Sequence, residues 1–416
     1  MHEDRPKLSR RLLRSMDSIE DPAAELPLIV RYSSRQRVMR HGGPMRGVRQ
    51  GYRYHLRPFV HMHATVQGIA ALEADPDVSL IYPDLPVQAY LDASLPHIRV
   101  PMLWQEHLTG QGIRVAVVDT GIDFDHPDFA GRIIDAADFT GAGPGDRHGH
   151  GTHCAGVVAG SGAMSDGHYR GVAPDAELYI AKVLRADGQG MMSDVMMGIE
   201  WAVDQGVQVI SLSLGGPGPC DGTDALCETC EAALERGIMV CVAAGNDGPT
   251  PYTVGSPGCA AGVLTIGAAS DLDRIATFSS RGPTADGRTK PDVVLPGVEI
   301  IAARAAATVM GTPIDDWYTA ASGTSMATPH AAGLCALLLQ AEPDLTPLEL
   351  KSRLMRTAID LDQPANAQGA GRVDAWRAYT DETSDVVAPE PQPVPAPAPQ
   401  NPGCLAILAA LLARQE

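Results

Sequence analysis

"IRVAVVDT", residues 113–120, is a short apolar run rich in β-branched side chains. It shows no polar alternation, so both faces of the strand it forms call for cover, as in a parallel sheet. Comparable runs recur at 177–184 ("ELYIAKVL"), 207–214 ("VQVISLSL"), 238–245 ("IMVCVAAG") and 262–269 ("GVLTIGAA"). Helix-like segments alternate with them: "HCAGVVAG", "SDVMMGIEWAVDQG", "ALCETCEAALERG" and "MATPHAAGLCALLLQ". This alternation predicts an α/β domain, a mostly parallel sheet with helices on both faces.

Ligands of such sheets gather at the carboxyl ends of the strands. Asp119 ends the first run. "DRHGHGTHCAG" (146–156) brings Asp146, His148, His150 and His153 together, with a glycine on each side of His150 to let the backbone set that ring at a helix start. Asn246 follows the fourth run, and "ASGTSMATPH" (321–330) opens the last helix with hydroxyls at Ser322, Thr324, Ser325 and Thr328. Each has an ordinary reading alone. Asp119 and Asn246 suit turns, Ser322 or Thr324 suits an N-cap, and the histidines suit a structural set or a metal cluster. In the order Asp, His, Asn, Ser they suit acyl transfer. A serine hydroxyl is a weak nucleophile until an imidazole takes its proton and a carboxylate holds that imidazole in the right tautomer. The Asn246 amide and the Ser325 N–H can meet the oxyanion, and one such donor is worth about 2.7–4 kcal/mol. Gly323 leaves room for substrate, and Pro329 is expected in the first helical turn, where amides lack intrahelical partners.

Four motifs, "VVDTGID" (117–123), "HGTHCAG" (150–156), "AAGNDG" (243–248) and "GTSMATPHAAG" (323–333), closely resemble those of subtilisin-like serine peptidases, in the same chain order. The resemblance implies a subtilisin-like sheet preceded by a small α+β propeptide. It implies that Asp119 orients His150, that His150 is general base and acid, that Ser325 attacks, and that Asn246 completes the oxyanion hole. An acyl-enzyme forms, and no cofactor is required for catalysis. Cys154 stands where valine is more usual, with no catalytic penalty expected.

The resemblance extends to substrate. "SLGG" supplies Ser213, Leu214 and Gly215, and "DGQG" supplies Gly188 and Gly190, as two strands flanking a bound peptide. Gly255 is placed at the base of the first pocket beside Ala243 and Ala244. These segments are read as free of carboxylates, so an apolar or aromatic P1 residue is expected. Met192 is read either as lining a more distant subsite or as core. Structural calcium is expected at Asp128, although residues 160–171 depart from the familiar ligand pattern.

Residues 25–95 resemble the inhibitory propeptide, an intramolecular inhibitor cut off within 88–95, so the enzyme is expected as a self-processed zymogen. Strands are read at 26–32 and 54–64, a helix at 65–78 and a strand at 79–84, with an Arg/Gly-rich loop between the first two strands. The remaining divisions are a polar tail (1–24), the catalytic domain (96–384), a Pro-rich linker (385–402) and an apolar tail (403–416) suited to peripheral docking.

With 416 residues, 44% hydrophobic and 20% charged, most of the chain can build a core. The net charge of −18 argues against nucleic acid as the main partner. It is uneven: residues 1–95 carry 13 basic and 11 acidic side chains, the remainder 19 and 39. No stretch reaches the length of a membrane span, and no apolar signal region follows the charged start. A cytoplasmic location is therefore expected, as in the family members that lack a secretion signal. The eight cysteines do not form two CxxC pairs, which weakens a zinc reading. Free thiols are expected, the alternative being a Cys220–Cys227 bridge across "CDGTDALC". The competing functions are an inactive subtilisin-like binding protein and a metallohydrolase built on Asp146, His148, His150 and His153. The complete set of catalytic residues weighs against both.

Overall fold

The computed structural model describes residues 94–383 and, ahead of them, 7–8, 12, 16, 23–34, 36–37, 45–54 and 57–84. The chain divides into two compact units, Met1–Ala89 and Tyr90–Glu416. The Pro-rich linker, the apolar tail, most of the polar tail and most of the 88–95 segment lie outside the described residues.

The first unit is an antiparallel sheet of β1 (Leu26–Tyr32), β2 (Val48–Arg53), β3 (Phe59–Ala64) and β4 (Val78–Pro83) in the order β2-β3-β1-β4. A helix, Val66–Ala74, is capped by Thr65, whose side chain accepts from Gly68 N–H. Period-2 burial of Leu28, Val30 and Tyr32 on β1 and of Val60, Met62 and Ala64 on β3 makes one apolar face, closed by Ile69 and Leu72 of the helix. The strand β2 falls inside the segment read as a loop. All six of its residues, "VRQGYR", are exposed or half-buried, so it carries no apolar signal and is held by backbone pairing to β3.

The second unit is built on β5 (Arg114–Asp119), β6 (Ile133–Asp138), β7 (Glu177–Lys182), β8 (Val209–Leu212), β9 (Met239–Ala243), β10 (Leu264–Ala269) and β11 (Val293–Pro296). Their order is β11-β10-β9-β8-β5-β7-β6, and every neighbouring pair is parallel. A small antiparallel sheet of β12 (Ile300–Ala303), β13 (Thr312–Pro313) and β14 (Tyr318–Ala321) stands apart. Each face of the large sheet has its own core. Val115 and Val117 of β5 point to the side of the His150–Ala159 and Thr324–Ala341 helices. Ala116 and Val118 point to the side of the Met192–Asp204 and Ala225–Glu235 helices.

The chain leaves β5 toward β6 and β7 on one side, then returns to place β8 on the other. Strand order therefore reverses at β5, and a crevice opens at the carboxyl ends of β5 and its neighbours. Asp119 is the last residue of β5.

Candidate active site

Asp119 is buried, and its Oδ1 accepts from Thr120 N–H at 2.7 Å and from the His150 ring at Nδ1, also 2.7 Å. A carboxylate can only accept here, so Nδ1 carries the proton and Nε2 is left as the base. Burial pulls the imidazole pKa down, but the Asp119 charge and hydrogen bond outweigh it. His150 is held well above its ordinary value of 6.5.

The His150 loop is organised by Asp146. Its Oδ1 accepts from His148 N–H (2.9 Å), Gly149 N–H (2.8 Å) and the Thr120 hydroxyl (3.0 Å). Its Oδ2 accepts from Thr152 N–H (3.0 Å) and the Thr152 hydroxyl (2.7 Å). Gly149, with φ of 103°, makes the turn into the helix that begins at His150. Asp146 is thus engaged by backbone, and it belongs to no group of three metal-ligating side chains among the described residues. His153 is buried with Nε2 against the Ile300 carbonyl at 3.0 Å, and burial lowers its pKa to about 4. It stays neutral and structural.

The Thr324–Ala341 helix is capped by Gly323 with no side-chain hydrogen bond. Ser322 instead accepts from Glu299 N–H. Because the helix starts at Thr324, Pro329 lies beyond the first turn, contrary to expectation. Its missing N–H leaves the Ser325 carbonyl without an i+4 donor. The Ser213 hydroxyl (2.9 Å) and the Cys154 thiol (3.5 Å) take that carbonyl instead. The proline therefore frees an acceptor through which two other segments tie down the Ser325 backbone. The Ser325 hydroxyl itself donates to the Ser213 carbonyl at 3.1 Å and makes no hydrogen bond to His150. Catalytic hydrogen bonds of this kind commonly form only when substrate is bound.

The Asn246 amide is oriented by Thr324, whose N–H (2.9 Å) and hydroxyl (3.1 Å) both donate to Oδ1. Only donors face that oxygen, so the NH2 group is left for a ligand. A Cβ built on Gly323 would lie 3.5 Å from Asn246 Nδ2 and 3.6 Å from Ser325 N. One point in space is thus within reach of both donors, and the glycine keeps it open.

A cleft of about 840 Å³ joins these groups. It is lined by His150, Asn246 and Ser325 and by Gly188, Gly190, Ser213, Leu214, Gly215, Ala243, Ala244, Gly255 and Met192. A Cβ on Gly255 would overlap the Gly216 carbonyl, so only glycine fits at that wall. The reading of these segments as free of carboxylates needs correction. Asp187 heads the 187–190 segment and lines the cleft, as does Asp247. Both are exposed, and Asp187 Oδ1 accepts from Gln189 N–H. His148, read above as a structural or metal-cluster histidine, also lines the cleft, as do Leu226 and Ser256, which carried no signal in the sequence.

Asp128, the carboxylate expected to hold structural calcium, is buried with both oxygens against the Tyr318 hydroxyl, at 3.0 and 3.2 Å. A further expectation changes. Cys220 is bonded to Cys259, 39 residues away, and not to Cys227. The segment carrying Cys259 runs beside the Cys220 loop, where Arg288 bridges the Cys259 and Asp221 carbonyls at 2.8 Å each. That proximity is tertiary, and local spacing does not report it. Cys154, Cys227, Cys230, Cys241 and Cys335 are free and buried.

A strand-end Asp–His pair sharing a cleft with a helix-start serine and an oriented amide defines a hydrolase of the serine peptidase kind. Residues 110–371 match the subtilase family, Peptidase S8, and the chain belongs to it. It is a subtilisin-like serine endopeptidase. It is 43% identical over 327 residues to serine protease AprX of Bacillus subtilis (strain 168), covering 72% of this chain and 74% of that protein. It is 36% identical to subtilisin E of the same organism, covering 71% and 74% respectively. With the intracellular serine protease of Paenibacillus polymyxa the identity is 38%, covering 66% and 82%.

Proposed function

We propose that Asp119, His150 and Ser325 form the catalytic triad of this endopeptidase, with Asn246 Nδ2 and Ser325 N–H as the oxyanion hole. The observation that carries this reading is the 2.7 Å Asp119–His150 bond facing the same cleft as Ser325 and Asn246. Peptide enters between 187–190 and 213–216, two segments that line the cleft and suit strand addition. The Ser325 hydroxyl turns from Ser213 to His150 Nε2, gives up its proton and attacks the scissile carbonyl. The oxyanion forms at the point shared by the two donors. His150 then protonates the leaving amine, and water repeats the sequence on the acyl-enzyme. The Asp119 carboxylate holds the ring and stabilises the imidazolium. The walls at Ala243, Ala244 and Gly255 favour an apolar or aromatic P1 side chain.

A fluorophosphonate probe tests this reading. It labels Ser325, Ser325→Ala abolishes labelling, and a chelator leaves labelling intact. Labelling that survives Ser325→Ala, or that a chelator eliminates, rules it out.

The zymogen reading is a second part of the proposal. Residues 25–95 act as an inhibitory propeptide released by cleavage within 88–95, and an antiparallel sheet with a packed helix supports the α+β expectation for that piece. Terminal sequencing of the active form decides it, and an uncut active chain overturns it. A cytoplasmic location is proposed on the likeness to the relative named as intracellular, and cell fractionation tests it.

A further inference from the structure

A second cluster of reactive side chains lies behind the cleft wall. Asp224 caps the Ala225–Glu235 helix through Oδ1, which accepts from Leu226 N–H and Cys227 N–H, 3.0 Å each, and from the Ser256 hydroxyl at 2.9 Å. Its Oδ2 is left facing sulfur, 3.3 Å from Cys227 Sγ and 3.5 Å from Cys220 Sγ. Cys227 Sγ is 3.6 Å from Cys259 Sγ. The ligand atoms of Cys220, Asp224, Cys227 and Cys259 all lie within 4.8 Å of one another. A tetrahedral zinc with ordinary Zn–S and Zn–O lengths has edges of roughly 3.5–3.8 Å. Three edges of this cluster already have nearly that size. Of the other three, Cys220–Cys259 is closed by the disulfide, and Cys220–Cys227 and Asp224–Cys259 are no longer than 4.8 Å.

We propose that, once the Cys220–Cys259 bond is reduced, Cys220, Cys227, Cys259 and Asp224 bind a thiophilic divalent cation, zinc in the first place, in a tetrahedral site. A dithiol reductant supplies two electrons and two protons and is itself oxidised to a disulfide. The S–S bond breaks to two thiols, and the Cys220–Cys259 edge opens. Binding then forms three metal–sulfur bonds and one metal–oxygen bond and releases three thiol protons. Hydrogen bonds to the sulfurs are in place: Gly222 N–H donates to Cys220 Sγ at 3.4 Å, and the Ser256 hydroxyl lies 3.5 Å from Cys227 Sγ. Metal binding displaces the thiol protons, so affinity rises with pH.

Ser256 and Leu226 line the substrate cleft, and the Gly216 N–H donates to the Ser256 carbonyl at 2.8 Å. The same wall is thus stapled by a disulfide under oxidising conditions and by a metal under reducing ones. This assignment is independent of the catalytic roles given above.

The test uses the full chain carrying Ser325→Ala, to prevent autolysis, and Cys154→Ala, to remove the thiol beside His150. The protein is reduced without oxygen and titrated with Co²⁺, then Zn²⁺. Thiolate-to-cobalt charge transfer saturating at one ion per chain, bleached by zinc and absent from the oxidised protein, is expected. Cys227→Ser weakens binding at least tenfold, whereas Cys230→Ser leaves it unchanged. Reduced protein that takes up no cobalt, that loses its circular-dichroism signature of fold, or whose Cys227→Ser form binds equally well overturns the proposal.

Discussion

Thr324 gives both its N–H and its hydroxyl to one oxygen of Asn246, at 2.9 and 3.1 Å. The hydroxyl also accepts from Gly245 N–H at 3.2 Å. The residue before Ser325 therefore sets the rotation of an amide 78 positions earlier in the chain. Thr324→Val keeps the shape and the N–H bond but removes the hydroxyl. The expected result is a fall in kcat with little change in KM, because the amide acts chiefly on the oxyanion. Asn246→Ala should lower kcat by about 10²–10³-fold. Steady-state kinetics on a peptide amide check both, and a rise in KM with unchanged kcat would refute the positioning role.

Gly323 makes a sharper probe of the same point. Its φ of 162° is extended backbone open to any residue, so alanine there brings no backbone strain. The added methyl would, however, sit 3.5 Å from Asn246 Nδ2 and 3.6 Å from Ser325 N. Gly323→Ala is expected to keep the melting temperature within a few degrees while cutting kcat/KM by more than tenfold. Wild-type activity would mean that the oxyanion forms elsewhere.

The acid limb of the pH–rate profile reports His150, which must be neutral to accept the Ser325 proton. Its folded pKa is raised by Asp119, so activity is lost as pH falls through a midpoint above 6.5. Asp119→Asn removes the charge that raises it. The limb should move to lower pH while kcat falls about 10⁴-fold through the wrong tautomer. An unchanged midpoint in Asp119→Asn would disconnect the two residues.

How far these groups were legible in the sequence depends on whether the physics is local. The β5 run announces itself because both faces are buried, and Asp119, His150, Asn246 and Ser325 stand in recognisable motifs. The strand Val48–Arg53 stays silent because no residue on it is fully buried. Asp146 holds five hydrogen bonds that only the folded loop brings together. The Cys220–Cys259 pairing, the use of the carbonyl freed by Pro329 and the engagement of Asp128 by Tyr318 are tertiary. Each joins segments whose approach no periodicity encodes.

Specificity at P1 follows from what stands near the base of the pocket. Ala243 and Ala244 are small and apolar, and Gly255 excludes any side chain from its own position. Asp187 and Asp247 reach the cleft but are exposed, where water screens their charge. A panel of peptides differing only at P1 should favour Phe, Tyr, Leu and Met over Arg and Lys by tenfold or more in kcat/KM. Raising the salt concentration should narrow any residual preference for Arg. A clear win for Arg at high salt would assign the two carboxylates a direct role in the pocket.

Met326 follows Ser325 and is 2% exposed, packed in the core on the His150 side of the sheet. Its sulfoxide would bring a polar, chiral group against apolar neighbours one residue from the Ser325 N–H. Met191 and Met192 line the cleft and are far more exposed, at 59% and 44%, so peroxide reaches them first. Two phases are therefore expected in a peroxide time course: rapid oxidation with little loss of turnover, then slow inactivation. Met326→Ala should abolish the slow phase and leave the fast one. Peptide mass spectrometry sampled along the course separates the sites. Inactivation that tracks Met191 or Met192 oxidation would place the sensitive sulfur in the substrate groove instead of behind the nucleophile.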